Sequence, residues 1–325
     1  TPERIRASWD TDSGREPALW QQLTELGLVG ITVPEAFGGL GMSALDFVLL
    51  AQECGYVALP EPLVQTALVA VPLLQDLGGD LAATWLPAIA AGEAVVAVGL
   101  QQNVLVEDAH IANLLLLEHG GAIHALTSDH YELQRSESVD PSRQLFSVTV
   151  TGAGNAVAEG EHAEHLLARA LDHGALGAAA QALGLAQRMV DLSVQYTADR
   201  QQFGKPVGSF QAVKHHMANV AVQLEYARAP VHRAACALAA GARNASEAVS
   251  HAKIVACEAA RLAAKNSIQV HGAMGYTWEV DLQIFMKKAW ALANTWGDAG
   301  FHKARVAEHI FAEGAALGAG ATFAH

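Results

Sequence analysis

Apolar residues recur along this chain first with a helical period, then with a strand period, then with a helical period again. In EPALWQQLTELGL, Leu19, Leu23 and Leu26 fall on one helical face and Gly27 follows as a stop. VPEAFGGLGMSALDFVLLAQECG gives a turn and then a helix through Ala51, opened by Ser43 and Asp46 as a capping pair. PLVQTALVAVPLLQDLGG and DLAATWLPAIAAGE complete a helical layer. Between about 94 and 160, the runs AVVAVGL, NLLLLEH, AIHAL and LFSVTVTG are short and separated by Gly, Asn, Asp and Pro, which predicts a small β region.

From about 165 the helical period returns. Leu176, Ala180, Leu183, Ala186, Val190 and Val194 form one stripe, and Phe210, Val213, Met217, Val220 and Leu224 form a second. Ser209 is placed to begin that second helix, and Pro230 to kink or break it. A third helix is expected from Asn244, whose side chain caps while Glu247 reaches back. DLQIFMKKAWALAN and GFHKARVAEHIFA are the last periodic segments. Alanines at facing positions predict a bundle of at least four long helices. The expected fold is mainly α with a small β domain, divided into helices over 1–92, β structure over 93–164 and a bundle over 165–325. Strands and helices do not alternate as a parallel nucleotide-binding sheet requires.

Composition agrees with this reading. Of 325 residues 51% are hydrophobic but only 6% aromatic, so the apolar content is mostly Ala, Leu and Val, which favours helix. A net charge of −13 without clustered Lys and Arg excludes a nucleic-acid surface. Cys54, Cys236 and Cys257 lie far apart with no C-x-x-C spacing, as in a reduced cytoplasm. No apolar run approaches the roughly 18 to 20 residues that span a bilayer, and TPERIRASWD lacks the order of a signal peptide. The expectation is a cytoplasmic protein with no membrane partner. His215 and His216 are adjacent and point to different helix faces, so no metal site is expected.

Two stretches carry more chemistry than a helix connection needs. In RQQFGKPVGSFQ, Arg200 offers a planar guanidinium, Phe203 a flat ring and Gln211 an amide beside a helix N-terminus, a set able to hold a phosphate or diphosphate. The same residues also make an ordinary connection with a buried Phe. In QVHGAMGYTWE, Gln269 lies near a helix end, Gly272 and Gly275 allow close backbone approach, and Tyr276 and Trp278 follow; a glycine cap with a hydrophobic anchor would look alike.

Together, RQQFGKPVGSFQAVKHHMANV and QVHGAMGYTWE resemble the C-terminal helical domain of the flavin-dependent acyl-CoA dehydrogenases. LTELGLVGITVPEAFGGLGMSALDFVLLAQECG is similar to that family's first helical domain. The resemblance implies a helical domain, a β domain and a four-helix bundle. It also implies FAD, whose adenosine diphosphate half the residues matching Arg200, Phe203, Gln211, Gln269 and Gly272 contact across a dimer interface, on the neighbouring subunit's flavin.

Departures from the family narrow the role. Its acidic-Pro-Gly-Ser loop and Trp-Ile-Thr strand have no counterpart between Ala94 and Gly160, and the β region is shortened. The family's usual glutamate base aligns with Trp296, which cannot abstract a proton. A second base position aligns close to Gly174, with Asp172 the nearest acid and Ala175 where an arginine commonly follows. Asp172 and Asp298 are the candidates for a relocated base, and Asp298 is better placed to cap the next helix. The leading reading is therefore a subunit without a catalytic base. It resembles the small subunit of actinobacterial α2β2 sterol-side-chain dehydrogenases, completing a partner's FAD site for an acyl-CoA substrate. The alternatives are a self-sufficient homotetramer with a relocated base and a flavin-free scaffold.

Overall fold

The computed structural model describes residues 1–152 and 154–315. Six helices come first: α1 (Pro2–Trp9), α2 (Pro17–Glu25), α3 (Ala44–Tyr56), α4 (Leu63–Gln65), α5 (Val71–Leu77) and α6 (Gly79–Ala90). Strands β1 (Val96–Gly99), β2 (Val106–Glu107), β3 (Leu114–His119), β4 (Ala122–Leu126), β5 (Tyr131–Ser136), β6 (Leu145–Val150) and β7 (Asn155–Glu159) follow. The helix α7 (Gly160–Asp199) leads to a hairpin of β8 (Gln201–Gln202) and β9 (Lys205–Pro206). The chain then runs through α8 (Gln211–Ala239), α9 (Ala245–His271), α10 (Leu282–Leu292) and α11 (Ala299–Phe311). Among the described residues no helix is long and apolar enough to cross a membrane.

Two compact units result. One comprises Thr1–Pro2, Val48–Leu59 and Ala178–His325, the other Glu3–Phe47 and Pro60–Gly177. In the second, one sheet has the order β1-β3-β4-β7 and another β2-β6-β5. The β1–β3 pair is parallel and the remaining pairs are antiparallel. Ala97, Val106, Leu115, Leu117, Leu126, Tyr131 and Phe146 form the core shared by these strands. A buried Arg15 ties the loops of this unit together, pairing with Asp108 and donating to the carbonyls of Pro60 and Ser142.

The first unit is held by alanine-lined helix contacts. Ala252, Ala256, Ala259, Ala260, Ala263 and Ala264 are all buried on α9, so backbones approach closely. Where α3 meets α7 the approach is closer still: a Cβ at Gly184 would overlap the backbone of Gln52 and Tyr56, and one at Gly55 the backbone of Gln181. Arg188 lies over the rings of Tyr56 and Phe285 at 5.2 and 5.6 Å, linking α7 to α3 and α10.

Several local expectations hold and several fail. Ser43 and Asp46 cap α3 reciprocally, with Ser43 N–H donating to Asp46 Oδ2 at 2.9 Å and the Asp46 N–H reaching Ser43 Oγ at 3.4 Å. Gly27 takes the left-handed conformation just beyond α2 (φ 74°). Asn244, by contrast, makes no side-chain cap. Glu247 turns instead to His309 on α11, Oε1 to Nδ1 at 3.2 Å, an attraction from 62 residues away that no local pattern encodes. Ser209 does not begin α8, which starts at Gln211 after a 3-10 turn over Val207–Ser209. Pro230 does not break α8, because the carbonyl it deprives of a bond is that of Tyr226, an exposed residue. Val194 ends its stripe exposed rather than buried. Of the bundle helices, α7, α8 and α9 run 40, 29 and 27 residues, while α10 and α11 are only 11 and 13.

Candidate functional site

The stretch from Arg200 to Gln211 is a built loop. The Val207 N–H donates to the Arg200 carbonyl at 2.8 Å, closing the β8–β9 hairpin against the end of α7. Its two central residues, Phe203 and Gly204, have φ of 54° and 77°, the pair of positive values a type I′ turn requires. Asn or Gly normally fills the first of these positions, since a bulky side chain is strained there. Here it is a phenylalanine, 90% exposed. Its only ring contact among the described residues is edge-on to Phe210 at 6.1 Å, and Lys205 Nζ covers Phe210 at 4.3 Å.

Arg200 is exposed, and its guanidinium has no partner among the described residues. No side chain caps α8: Phe210 occupies the cap position, and the Val213 and Lys214 N–H groups turn back to its carbonyl. The amides of Gln211 and Ala212 thus head a 29-residue helix with no side-chain acceptor. A free guanidinium, an uncapped helix start and an open ring form a surface suited to an anion carrying a flat group.

The second stretch lies at the same end of the bundle. Gln269 is exposed in the last turn of α9, and Gly272 ends that helix with φ 61° and open space where a Cβ would be. Gly275 is buried, and a Cβ there would sit 2.9 Å from the Ile268 carbonyl oxygen. Tyr276 and Trp278 do not anchor in the interior: both are exposed, and Lys287 Nζ stands 3.2 Å above the Trp278 ring.

Tyr196, one turn before Arg200, stacks on His271, just before Gly272. The ring centroids are 4.2 Å apart at 18°, and the Tyr196 hydroxyl donates to the His271 carbonyl at 3.3 Å. Burial lowers the His271 pKa, against a Nδ1–H bond to the Ser267 carbonyl, so the ring is neutral at neutral pH. Ser267 in turn donates to the Met189 carbonyl at 3.2 Å, and His216 on α8 meets Asn266 on α9 at 2.9 Å. The ends of α7, α8 and α9 are thereby fixed together with both stretches beside them.

The turn after α10 is built differently. Trp296 has φ 56°, yet only 6% of it is exposed. Its carbonyl accepts from His302 Nε2 at 2.9 Å, which fixes the Nε2–H tautomer of that fully buried imidazole. His302 Nδ1 then accepts from Ser250 Oγ at 3.1 Å. Lys253, 2% exposed, donates to the Leu292 carbonyl at 2.7 Å, and Thr295 Oγ1 to the Ala291 carbonyl at 3.0 Å. Asp298 caps α11, accepting from the Phe301 N–H at 2.8 Å. Asp172 is buried on α7 in the other compact unit, next to His173, whose pKa burial pushes down to about 4. Sequence reading missed Ser250, Lys253 and His302; a lysine and a histidine on alanine-rich helices are the only signal they leave.

An N-terminal helical layer, a two-sheet β unit and a C-terminal helical bundle define the fold. The acyl-CoA dehydrogenase C-terminal domain profile matches residues 165–311 and the N-terminal domain profile residues 2–93, and the chain belongs to this family. It is 32% identical over 299 residues to the acyl-CoA dehydrogenase IpdE2 of Mycolicibacterium smegmatis, covering 91% of this chain and 89% of that one. Among solved structures it is similar to the Tcur3481-Tcur3483 steroid acyl-CoA dehydrogenase G363A variant, with 26% identity, a TM-score of 0.87 and coverage of 98% of this chain and 94% of that one. The ChsE4-ChsE5 complex of Mycobacterium tuberculosis shares the fold at 21% identity and TM-score 0.85, over 95% and 92% of the two chains. Members of the family bind FAD.

Proposed function

We propose that this chain is one subunit of a heteromeric FAD-dependent acyl-CoA dehydrogenase, in which it completes a partner subunit's flavin site and the partner supplies the catalytic carboxylate. The observation that carries this reading is Trp296. Desaturation of an acyl-CoA needs a carboxylate within hydrogen-bond reach of the α-proton. The position where the family's glutamate aligns holds an indole instead, in a turn committed to internal bonds. Asp298, two residues on, spends its carboxylate on capping α11.

The five residues of the bundle end fit an adenosine diphosphate group. Arg200 would grip its phosphate oxygens, Gln211 and the open α8 amides would donate to them, and Phe203 would cover a ring. Gln269 and Gly272 would supply an amide and a backbone free of side-chain obstruction. FAD, when bound, supplies the hydride acceptor of the reaction. The likeness to the Tcur3481-Tcur3483 steroid acyl-CoA dehydrogenase and to the ChsE4-ChsE5 complex supports the proposed steroid side-chain thioester and α2β2 assembly of unlike subunits.

The test is to produce the chain alone and with a candidate acyl-CoA dehydrogenase partner subunit, measuring flavin absorbance per chain and dye reduction by acyl-CoA. One flavin per pair of unlike chains, with activity only in the pair, is expected. Full flavin and activity in the isolated chain would establish a self-sufficient enzyme instead, and no flavin in the pair a scaffold.

A further inference from the structure

We propose that a cleft in the other compact unit, between the end of α1 and the β5–β6 connection, binds a nucleoside phosphate. The cavity measures about 550 Å³, and Trp9, Arg135, Ser136, Glu137, Ser138 and Arg143 line it. That volume falls in the range of small-molecule sites and exceeds what a bare phosphate fills.

Among the described residues Arg135 is the lining cation that no carboxylate offsets by contact, since Arg143 is paired with Glu107. Arg135 has no carboxylate partner among the described residues, although the protein carries a net charge of −13. It follows Tyr131 and Leu133 on one face of β5. Tyr131 is buried in the β core and Leu133 packs against it, so Arg135 stands where that row meets the cleft. Its cross-strand neighbour is Phe146, which stacks on His110 at 4.7 Å. Burial lowers the His110 pKa, and the charges of Arg15 and Arg135 lower it further, against a hydrogen bond to the Ser13 carbonyl. Arg143 is held by Glu107, Nε to Oε2 at 3.4 Å, which fixes its position and offsets its charge.

The remaining lining selects for more than phosphate. The Trp9 Nε1–H donates to Ser142 Oγ at 2.9 Å, which fixes a half-buried indole as a stacking surface for a base. Ser136 and Ser138 offer hydroxyls, and Ser138 Oγ already accepts from the Asp140 N–H at 3.2 Å, leaving its own hydrogen to donate. Glu137 repels a phosphate but accepts from a ribose hydroxyl or an exocyclic amine. Guanidinium, indole and carboxylate thus match the phosphate, base and sugar of one ligand.

The cleft shares no residue with the Arg200 loop, so the two sites separate experimentally. ADP binding is measured by calorimetry on the full chain carrying Arg200→Ala, which removes the flavin-diphosphate contact. One ADP per chain is expected, weakened about tenfold or more by adding Arg135→Gln, with inorganic phosphate binding more weakly than ADP. Flavin content of the pair with Arg135→Gln alone should equal that of the unaltered pair, whatever becomes of the FAD reading. No ADP uptake by the Arg200→Ala chain, uptake indifferent to Arg135→Gln, or phosphate binding as tightly as ADP would each overturn the proposal.

Discussion

Phe203 and Trp296 are two bulky aromatic residues at almost the same left-handed backbone angle, φ 54° and 56°, and their surroundings are opposite. A side chain in this region costs on the order of 1–2 kcal/mol. At Trp296 the fold offsets that cost internally, since the residue is only 6% exposed and His302 holds the carbonyl. Phe203 is 90% exposed, and its one ring contact among the described residues is edge-on to Phe210. Strain that a chain does not offset within itself marks a place where another molecule is expected to do so. Under the proposed function that molecule is FAD at the subunit interface, whereas the Trp296 turn is held by His302 and by burial within its own chain.

The largest test of the contrast removes the buried ring. Trp296→Ala should cost about 3–5 kcal/mol of stability, the usual loss for truncating a buried aromatic, read as a lower urea midpoint. Trp296→Glu should be destabilised too and still show no dye reduction by the isolated chain. Restored activity there would mean that this chain keeps a working acyl site of its own.

Arg200→Ala comes next and should act on the opposite quantity. A charge-assisted bond to a phosphate is worth about 1.5–3 kcal/mol, so flavin affinity of the pair should fall by at least tenfold in a flavin titration. The exposed, unpaired guanidinium contributes little to folding, so the urea midpoint of the flavin-free chain should not move. If the midpoint fell and flavin binding held, the loop would be a structural connection.

Removing the hook on the tryptophan turn is a smaller change. His302→Leu leaves the Trp296 carbonyl and the Ser250 hydroxyl without that partner, which should cost about 1–3 kcal/mol, seen as a lower urea midpoint with flavin content of the pair intact. An unchanged midpoint would show that burial of the ring alone maintains the left-handed turn.

What could be read from the sequence follows how local each interaction is. The Ser43–Asp46 cap, the Gly27 stop and the strand Leu114–His119 depend on residues within a few positions, and all three form. Asn244 and Glu247 carry the same capping pattern but lose to His309, which only the packed bundle brings near. The composition of the 200–211 loop led to the expectation of a phosphate or diphosphate group, but nothing in it marked Phe203 as sharing a positive φ with Gly204. The Tyr196–His271 stack joins positions 75 residues apart, and the Ser250–His302–Trp296 chain is longer in sequence than any periodicity reaches. The motifs therefore pointed to the residues, while their strain and mutual support needed the fold.

The finest test changes only the angle's cost. Phe203→Asn places in the first turn position the residue that tolerates it best, so the flavin-free chain should gain about 1 kcal/mol, measured as a higher urea midpoint. Flavin affinity of the pair should fall at the same time, because the ring that would cover the cofactor is gone. The opposite signs are what matter. A Phe retained for folding would lose stability on replacement, and one retained by accident would leave flavin binding unchanged. Stability gained together with affinity lost is the signature of a side chain held in strain for a ligand outside its own chain.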